Sequence, residues 1–362
     1  MSQPTPGPNQ PIRPELVAEP ARGPLRVVIE QPRSGWIGRR LLWIALVVSV
    51  LINFGMFSAY QSYFQSGTEI EEKWHSLDKR APDKVAIIAV EGTILGDETF
   101  VKKQIDHVRD DDDVKAVVLR VDSPGGTVTG SDYIYHHLKK LVKDKQVPLV
   151  VSMGSIAASG GYYVAMAAGD KENTIFAEPT TWTGSIGVII PHYDLSGLLE
   201  KWNVQDDSIA SNPLKMMGSP TRKFPEGIRA EEQQILKGLV DSSFETFKEI
   251  VLASRAPLRN DKSLQDVVFT GRIFTARQAK ENGLVDQLGF IEDAVDRAIE
   301  LAGLEKKHVR VIKYTRPVGL MEQMLLGQQS RARGIDVAGL LELTAPKVYY
   351  LCTLGGLTAE PR

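Results

Sequence analysis

The sequence predicts an α/β domain built on a parallel sheet, carried behind one membrane-spanning helix. Three observations lead there. Short β-branched runs alternate with stretches of helical apolar spacing between about residues 83 and 160. Twenty uncharged residues stand in a row at 41–60. Glycine-rich loops follow several of the predicted strands, where parallel α/β folds place their sites.

Taken in order, residues 1–40 hold 8 of the 20 prolines and show no sustained apolar period. Such a stretch buries too little surface to offset its ordering entropy, so it reads as a disordered tail. Leu41 to Tyr60 (LLWIALVVSVLINFGMFSAY) is long enough, at about 1.5 Å per residue, to cross a bilayer core of about 30 Å. A cleaved signal peptide fits less well, because 40 residues precede the run and no clear A-x-A site follows it. The tail carries six Arg and three Glu, whereas 61–72 carries three Glu and no Lys or Arg. The positive-inside rule then keeps the N-terminus in the cytoplasm and the remainder of the chain outside it, as a single-pass protein of the cell (inner) membrane.

Residues 61–82 read as a juxtamembrane linker and 83–313 as the folded domain. Within the latter, 85–90 (VAIIAV), 114–121 (VKAVVLRV) and 147–152 (VPLVVS) have the pattern of strands buried on both faces. Helical spacing appears at 98–108 and 131–142, then at 230–253, 275–281 and 291–302. Residues 314–362 read as a C-terminal tail, in which 346–351 (PKVYYL) has a strand-like pattern.

Composition limits the function classes. With 362 residues, 24% of them charged, and a net charge of −2, the chain offers no broad cationic field for a phosphate backbone, so nucleic acid is not an expected partner. One cysteine, Cys352, can form neither an internal disulfide nor a thiolate cluster. No metal or nucleotide motif is present, and no cofactor is expected.

Three loops could carry chemistry. Asp122-Ser123-Pro124-Gly125-Gly126 could turn backbone N–H groups toward a ligand, or be a plain turn before a helix. Gly154 to Tyr163 (GSIAASGGYY) puts Ser159 at a strand-to-helix turn between small residues, which suits a nucleophile and equally suits an N-cap. A nucleophilic serine needs a base. Of the six histidines only His192, after an apolar run, is credibly placed. Lysine serves when desolvation lowers its pKa. Lys215 is the lysine with apolar neighbours (NPLKMMG), although a snorkelling surface lysine would read the same. Thr183-Gly184-Ser185-Ile186-Gly187 offers a second hydroxyl that could orient an uncharged amine, or another tight turn.

Together, DSPGG (122–126), SIAASGGYY (155–163), TGSIGV (183–188), the Lys215 segment and GRIFTARQAKENGLVDQLG (271–289) resemble the signal peptide peptidase (protease IV) family of membrane-bound serine proteases, over about residues 84–304. That family is related to the caseinolytic protease within the crotonase-like fold, so the resemblance implies repeated ββα units in a superhelical domain. It further implies Ser159 as nucleophile, Lys215 as general base and Ser185 as the residue that positions the lysine. Gly125 and Gly126, with Gly160, would be the oxyanion donors. One copy of each motif fits the short, single-domain form, in which the dyad is completed between protomers of a homo-oligomer. Ala157, Ala158 and Tyr162 are expected to line an apolar groove for peptide substrates, signal-peptide remnants above all. Gly169 to Asn173 is longer than the family pattern, which leaves the groove's rim open. Two other readings use the same fold: a crotonase-type acyl-thioester enzyme, for which Glu178 is the nearby carboxylate, and a catalytically idle membrane scaffold.

Overall fold

The computed structural model describes residues 36–65, 70–96, 99–222, 226–316 and 349–351. Residues 1–35 of the proline-rich tail and most of the C-terminal tail read from the sequence lie outside these residues, whereas residues 36–40, read as the end of that tail, begin a helix. The chain divides into two units, Met1–Gly67 and Thr68–Arg362. The described part of the first is helix α1 (Trp36–Gln65). Within it Gly38–Ser58 is long and apolar enough to cross a membrane, and it buries none of that surface in the protein.

The second unit is a mixed nine-stranded sheet with helices on both faces. Its elements run β1 (Glu71–Leu77), β2 (Asp83–Glu91), α2 (Thr99–Asp110), β3 (Val114–Ser123), β4 (Gly125–Thr127), α3 (Val128–Lys145), β5 (Leu149–Ala158), α4 (Gly160–Ala165), β6 (Ile175–Ala177) and β7 (Trp182–Gly184). They continue as α5 (Ser196–Lys201), α6 (Glu226–Ser254), α7 (Ala256–Arg259), α8 (Lys262–Val268), β8 (Ile273–Thr275), α9 (Ala276–Glu281), β9 (Gln287–Leu288), α10 (Ile291–Leu301), β10 (Val309–Thr315) and β11 (Tyr349–Leu351). Strand–strand–helix recurs as β1-β2-α2, β3-β4-α3 and β6-β7-α5, the ββα repeat expected. The main sheet is ordered β1-β10-β2-β3-β5-β6-β9, with β7 on β5 and β8 on β7.

Side-chain alternation explains why β2, β3 and β5 sit at its centre. Ala86, Ile88, Val117, Leu119, Val151 and Met153 enter one core with α3 and α4. Their neighbours Val85, Ile87, Ala116, Val118 and Val150 enter a second, covered by Ala294, Val295, Ala298 and Ile299 of α10. Both faces are apolar, so these strands read as continuous β-branched runs.

Two expectations are corrected. The sheet is not wholly parallel, since β1 runs antiparallel to β10 and β7 antiparallel to β8. Part of the stretch read as a linker, Glu71–Leu77, is the edge strand β1. Buried Lys84 ties it down, meeting Glu72 at 2.9 Å and Asp111 at 2.8 Å. Burial opposes the charge on Lys84, yet hydrogen bonds to Asp111 and Glu72 prevail and hold its pKa above the usual range.

Leu119 is fully buried on the central strand β3. Leu119→Ala removes its transfer energy and leaves a cavity, so the expected loss is about 3 kcal/mol of unfolding free energy, read from urea unfolding of the full chain in detergent.

Candidate active site

The site forms where the turn after β3 meets the turn after β5. A Cβ on Gly160 would stand 2.3 Å from Ser131 Oγ and 3.1 Å from both Gly125 Cα and Gly126 N. One on Gly161 would lie 2.6 Å from the Ser123 carbonyl oxygen, and one on Gly126 would lie 1.8 Å from that of Ile94. Only glycine admits this approach, which sets two backbone turns against each other with no side chain between them.

Ser159 stands at the junction. It precedes α4 but makes no side-chain cap bond, at φ 54° and ψ −116°. Its side chain is buried, and Oγ has no hydrogen-bond partner among the described residues. A capping serine would gain about 1 kcal/mol. This one instead carries an unmade bond and a rarely populated backbone, each costing about 1–3 kcal/mol. Stabilising surroundings hold it there: its N–H donates to the Gly184 carbonyl at 2.8 Å and its carbonyl accepts from Tyr163 N–H at 2.9 Å.

The bond to Gly184 brings the third loop alongside. Ser185 is also buried, has φ 51°, and donates its N–H to the Arg272 carbonyl at 2.8 Å. The structure therefore gathers Ser159, Gly160, Gly125, Gly126 and the Gly184–Ser185 turn. Within that group the Gly125 N–H is already given to Ser123 Oγ at 3.1 Å, which removes it from the expected oxyanion donors. The Gly126 N–H is taken up by the pairing of β4 with β11, and the Gly160 amide remains.

Lys215 is not brought to Ser159 within one chain. It lies on a 3-10 turn (Pro213–Met216) that Asn212 caps by accepting the Leu214 N–H, and it is exposed. No hydrogen bond or ion pair joins its ammonium to a described residue. Residues 189–222 carry it on a segment whose apolar side chains face outward, Tyr193 at 73%, Trp202 at 69% and Ile209 at 100% exposure, with Leu195, Leu198 and Val204 also exposed. The segment is ordered by its own bonds. Asp206 accepts from Thr221 Oγ1 at 2.6 Å. Hydrogen bonds from Ser208 and Thr221 bring its carboxyl down to about 2. Glu232 of α6 accepts the Gly218 N–H.

The groove expectation needs correcting. Ala157, Ala158 and Tyr162 expose no surface. The Tyr162 hydroxyl donates to the Leu284 carbonyl at 2.8 Å, and burial pushes its pKa up. These residues are packed behind Ser159, while Ser155 of β5 and Trp182 of β7, on the two paired strands that lead to the site, are exposed. Glu178 is paired with Arg120 at 2.6 Å. His192 is exposed and reaches only the Ser219 carbonyl, at 3.5 Å. Part of the stretch read as strand-like forms β11, whose residues Tyr349, Tyr350 and Leu351 pair antiparallel with Thr127, Gly126 and Gly125 of β4, a partner that sequence reasoning did not name. The strand-like pattern at 346–351 was its one signal.

The model of peptidase family S49 matches residues 142–305, and that of the Clp protease matches 72–182. A protein named as a protease in Synechocystis is 39% identical over 261 residues, covering 72% of this chain and 89% of its own. The chain belongs to the signal peptide peptidase family of S49 peptidases. Another S49 relative, named signal peptide peptidase in Enterococcus faecium, is 38% identical over 64% of this chain and 67% of its own. Protease 4 of Salmonella typhi is 36% identical over 62% of this chain and 36% of its own. The family identification makes this chain a peptidase, and the matched residues include every loop described here except the turn after β3, which falls in the Clp protease match.

Gly160→Ala forces the two turns apart against Ser131 and Gly126. The expected result is a fall of about 100-fold in kcat, the scale of an ångström-sized misplacement of reacting groups, measured on a fluorogenic apolar peptide.

Proposed function

We propose that this chain is a membrane-anchored serine endopeptidase with a Ser159–Lys215 dyad that spans two copies of the protein, and that its substrates are signal peptides left in the membrane after secretion. The observation that carries the reading is the buried Ser159 hydroxyl, uncapped and without a partner at positive φ. A group held at such cost is what an active site retains. The exposed Lys215 on a segment with several exposed apolar side chains supports the second half: such a segment fits a protein partner, and a second copy would bring a lysine with it.

In the assembled site, the neutral Lys215 amine of one copy takes the Ser159 Oγ proton of another. Oγ bonds to the peptide carbonyl carbon, and the oxyanion is met by the Gly160 amide, joined by the Gly126 amide where the substrate strand takes the place of β11. The Lys215 ammonium returns its proton to the leaving amine as the C–N bond breaks, leaving an acyl-enzyme. Water, deprotonated by Lys215, then attacks the ester and releases Ser159. Ser185 orients the lysine as the aspartate orients histidine in a triad.

The apolar run 41–60 of helix α1, with six arginines in residues 1–40 and no lysine or arginine in 61–72, supports a single-pass anchor in the cell membrane with the peptidase unit outside the cytoplasm. The acyl-thioester alternative is disfavoured, because Glu178 is engaged by Arg120 and unavailable as a free carboxylate. No nucleic acid or cofactor enters this scheme.

Ser159→Ala and Lys215→Ala should each lose at least about 10⁴-fold in kcat/KM, measured on the full chain in detergent. Mixing the two dead variants before reassembly should restore activity at roughly a quarter of the sites, where an intact serine meets an intact lysine. Retained activity in Ser159→Ala sinks the nucleophile assignment. A mixture that stays inactive while co-assembled puts the dyad within one chain.

A further inference from the structure

The strand that delivers Ser159 is irregular just before it does so. Between Val121 and Ser123 β3 advances two residues, whereas β5 advances four, from Met153 to Ala157. β5 thus holds two extra residues in a bulge. Bulges bend a strand and re-aim the side chains beyond them, and the extra backbone groups need partners of their own.

Those partners come from two sides. From the β7 side, Thr181 Oγ1 donates to the Gly154 carbonyl at 2.6 Å and Thr183 Oγ1 to the Ala157 carbonyl at 2.6 Å. From the β3 side the bulge is held by one side chain among the described residues, Asp122, whose Oδ1 accepts the Ile156 N–H at 3.1 Å. Its carboxylate fills the space inside the bulge: a Cβ on Gly154 would lie 2.9 Å from Asp122 Cγ and Oδ2. The same point is 3.0 Å from Arg120 Nη2, so a guanidinium flanks the carboxylate. Arg120 is itself fixed by Ser152 at 2.9 Å and Glu178 at 2.6 Å.

We propose that Asp122 is a positioning residue for the nucleophile: by clamping the bulge in β5 it sets where Ser159 Oγ stands relative to the Gly160 amide and the Gly125-Gly126 turn. This rests on Ser159 being the nucleophile. Asp122 follows Val121 on the strand that leads into the Gly125-Gly126 turn, so one residue couples the register of the amide-bearing turn to that of the serine. The Ile156 N–H is only part-buried and water can replace its acceptor. Loss of the carboxylate therefore mis-aims the site more than it unfolds the protein.

The test uses the full chain in detergent and two readouts, the split between kcat and KM on an apolar peptide and the rate at which a fluorophosphonate labels Ser159. Asp122→Ala should lower kcat and the labelling rate by about 100-fold, with KM changed less than about threefold. Asp122→Asn keeps an oxygen that accepts the Ile156 N–H and should recover most of both. Gly154→Ala pushes the carboxylate out of the bulge and should reproduce the defect of Asp122→Ala. The two should not add, because the double variant has no carboxylate left to displace. Labelling of Asp122→Ala at the wild-type rate, or full additivity in the cycle, overturns the proposal. If Asp122→Ala fails to fold, Gly154→Ala decides in its place, and a wild-type labelling rate there overturns the proposal equally. Mass spectrometry of the wild-type adduct separates the two readings: a label away from Ser159 refutes the nucleophile assignment, whereas a label on Ser159 with no effect of Asp122 refutes the positioning role alone.

Discussion

Backbone packed on backbone, without side chains between, is the constraint on which the site depends. Ile94, Gly126 and Gly160 form successive layers in which an added methyl would meet the Ile94 carbonyl or Ser131 Oγ well inside contact distance. The strand Gly125–Thr127 is thereby held between the chain at Ile94 and the start of α4, with Thr127 N–H donating to the Ile94 carbonyl at 2.7 Å. The turn after β3 and the start of α4 thus meet beside Ser159. Helix α4 acts as the peg of this arrangement. All six of its residues are buried, and Tyr162 and Tyr163 anchor it through hydroxyl bonds to Leu284 and Asp132.

Such packing lets the protein keep Ser159 in an unfavourable state. An unpartnered buried hydroxyl and a positive φ together cost a few kcal/mol, a sizeable part of the 5–15 kcal/mol by which a domain is typically stable. Backbone bonds to Gly184 and Tyr163, and the threonine and aspartate bonds that hold the β5 bulge, offset that cost. The adjacent Ser185 shares the positive φ and the burial. Two buried serines at positive φ thus lie on turns joined by the Ser159–Gly184 bond.

Much of this was legible in the sequence, and the failures have physical causes. β2, β3 and β5 were visible because two cores make their strands apolar at every position. β1 (EEKWHSL) was not, since an exposed edge strand carries charges and alternates weakly. The glycine loops were found from local chemistry alone. Tyr162 was misread because its burial comes from Leu284, far along the chain, and no short-range pattern reports such a contact. Leu214, Met216 and Met217 beside Lys215 are half-buried while Lys215 itself is exposed, and the outward-facing apolar residues of the segment are others, Tyr193, Trp202 and Ile209 among them, which local sequence around the lysine does not reveal.

The pairing of β11 with β4 bears on how an extended chain is received at this site. β4 is Gly-Gly-Thr, and its glycines have no side chain with which to choose a partner, so an antiparallel segment is held there by main-chain bonds. Recognition through the main chain tolerates many sequences, and discrimination must then come from side chains at the mouth. The exposed ones are Ser155 and Trp182, and Trp182 lies on β7, the strand that carries Thr183 and Gly184 toward Ser185. Ala157, Ala158 and Tyr162 are fully buried, and Trp182 is the exposed side chain on the strand that ends at Gly184. The β5 bulge connects these parts, since the residues that hold its carbonyls, Thr181 and Thr183, flank Trp182. A change in how the mouth is filled thus acts on the same strand that presents the serine.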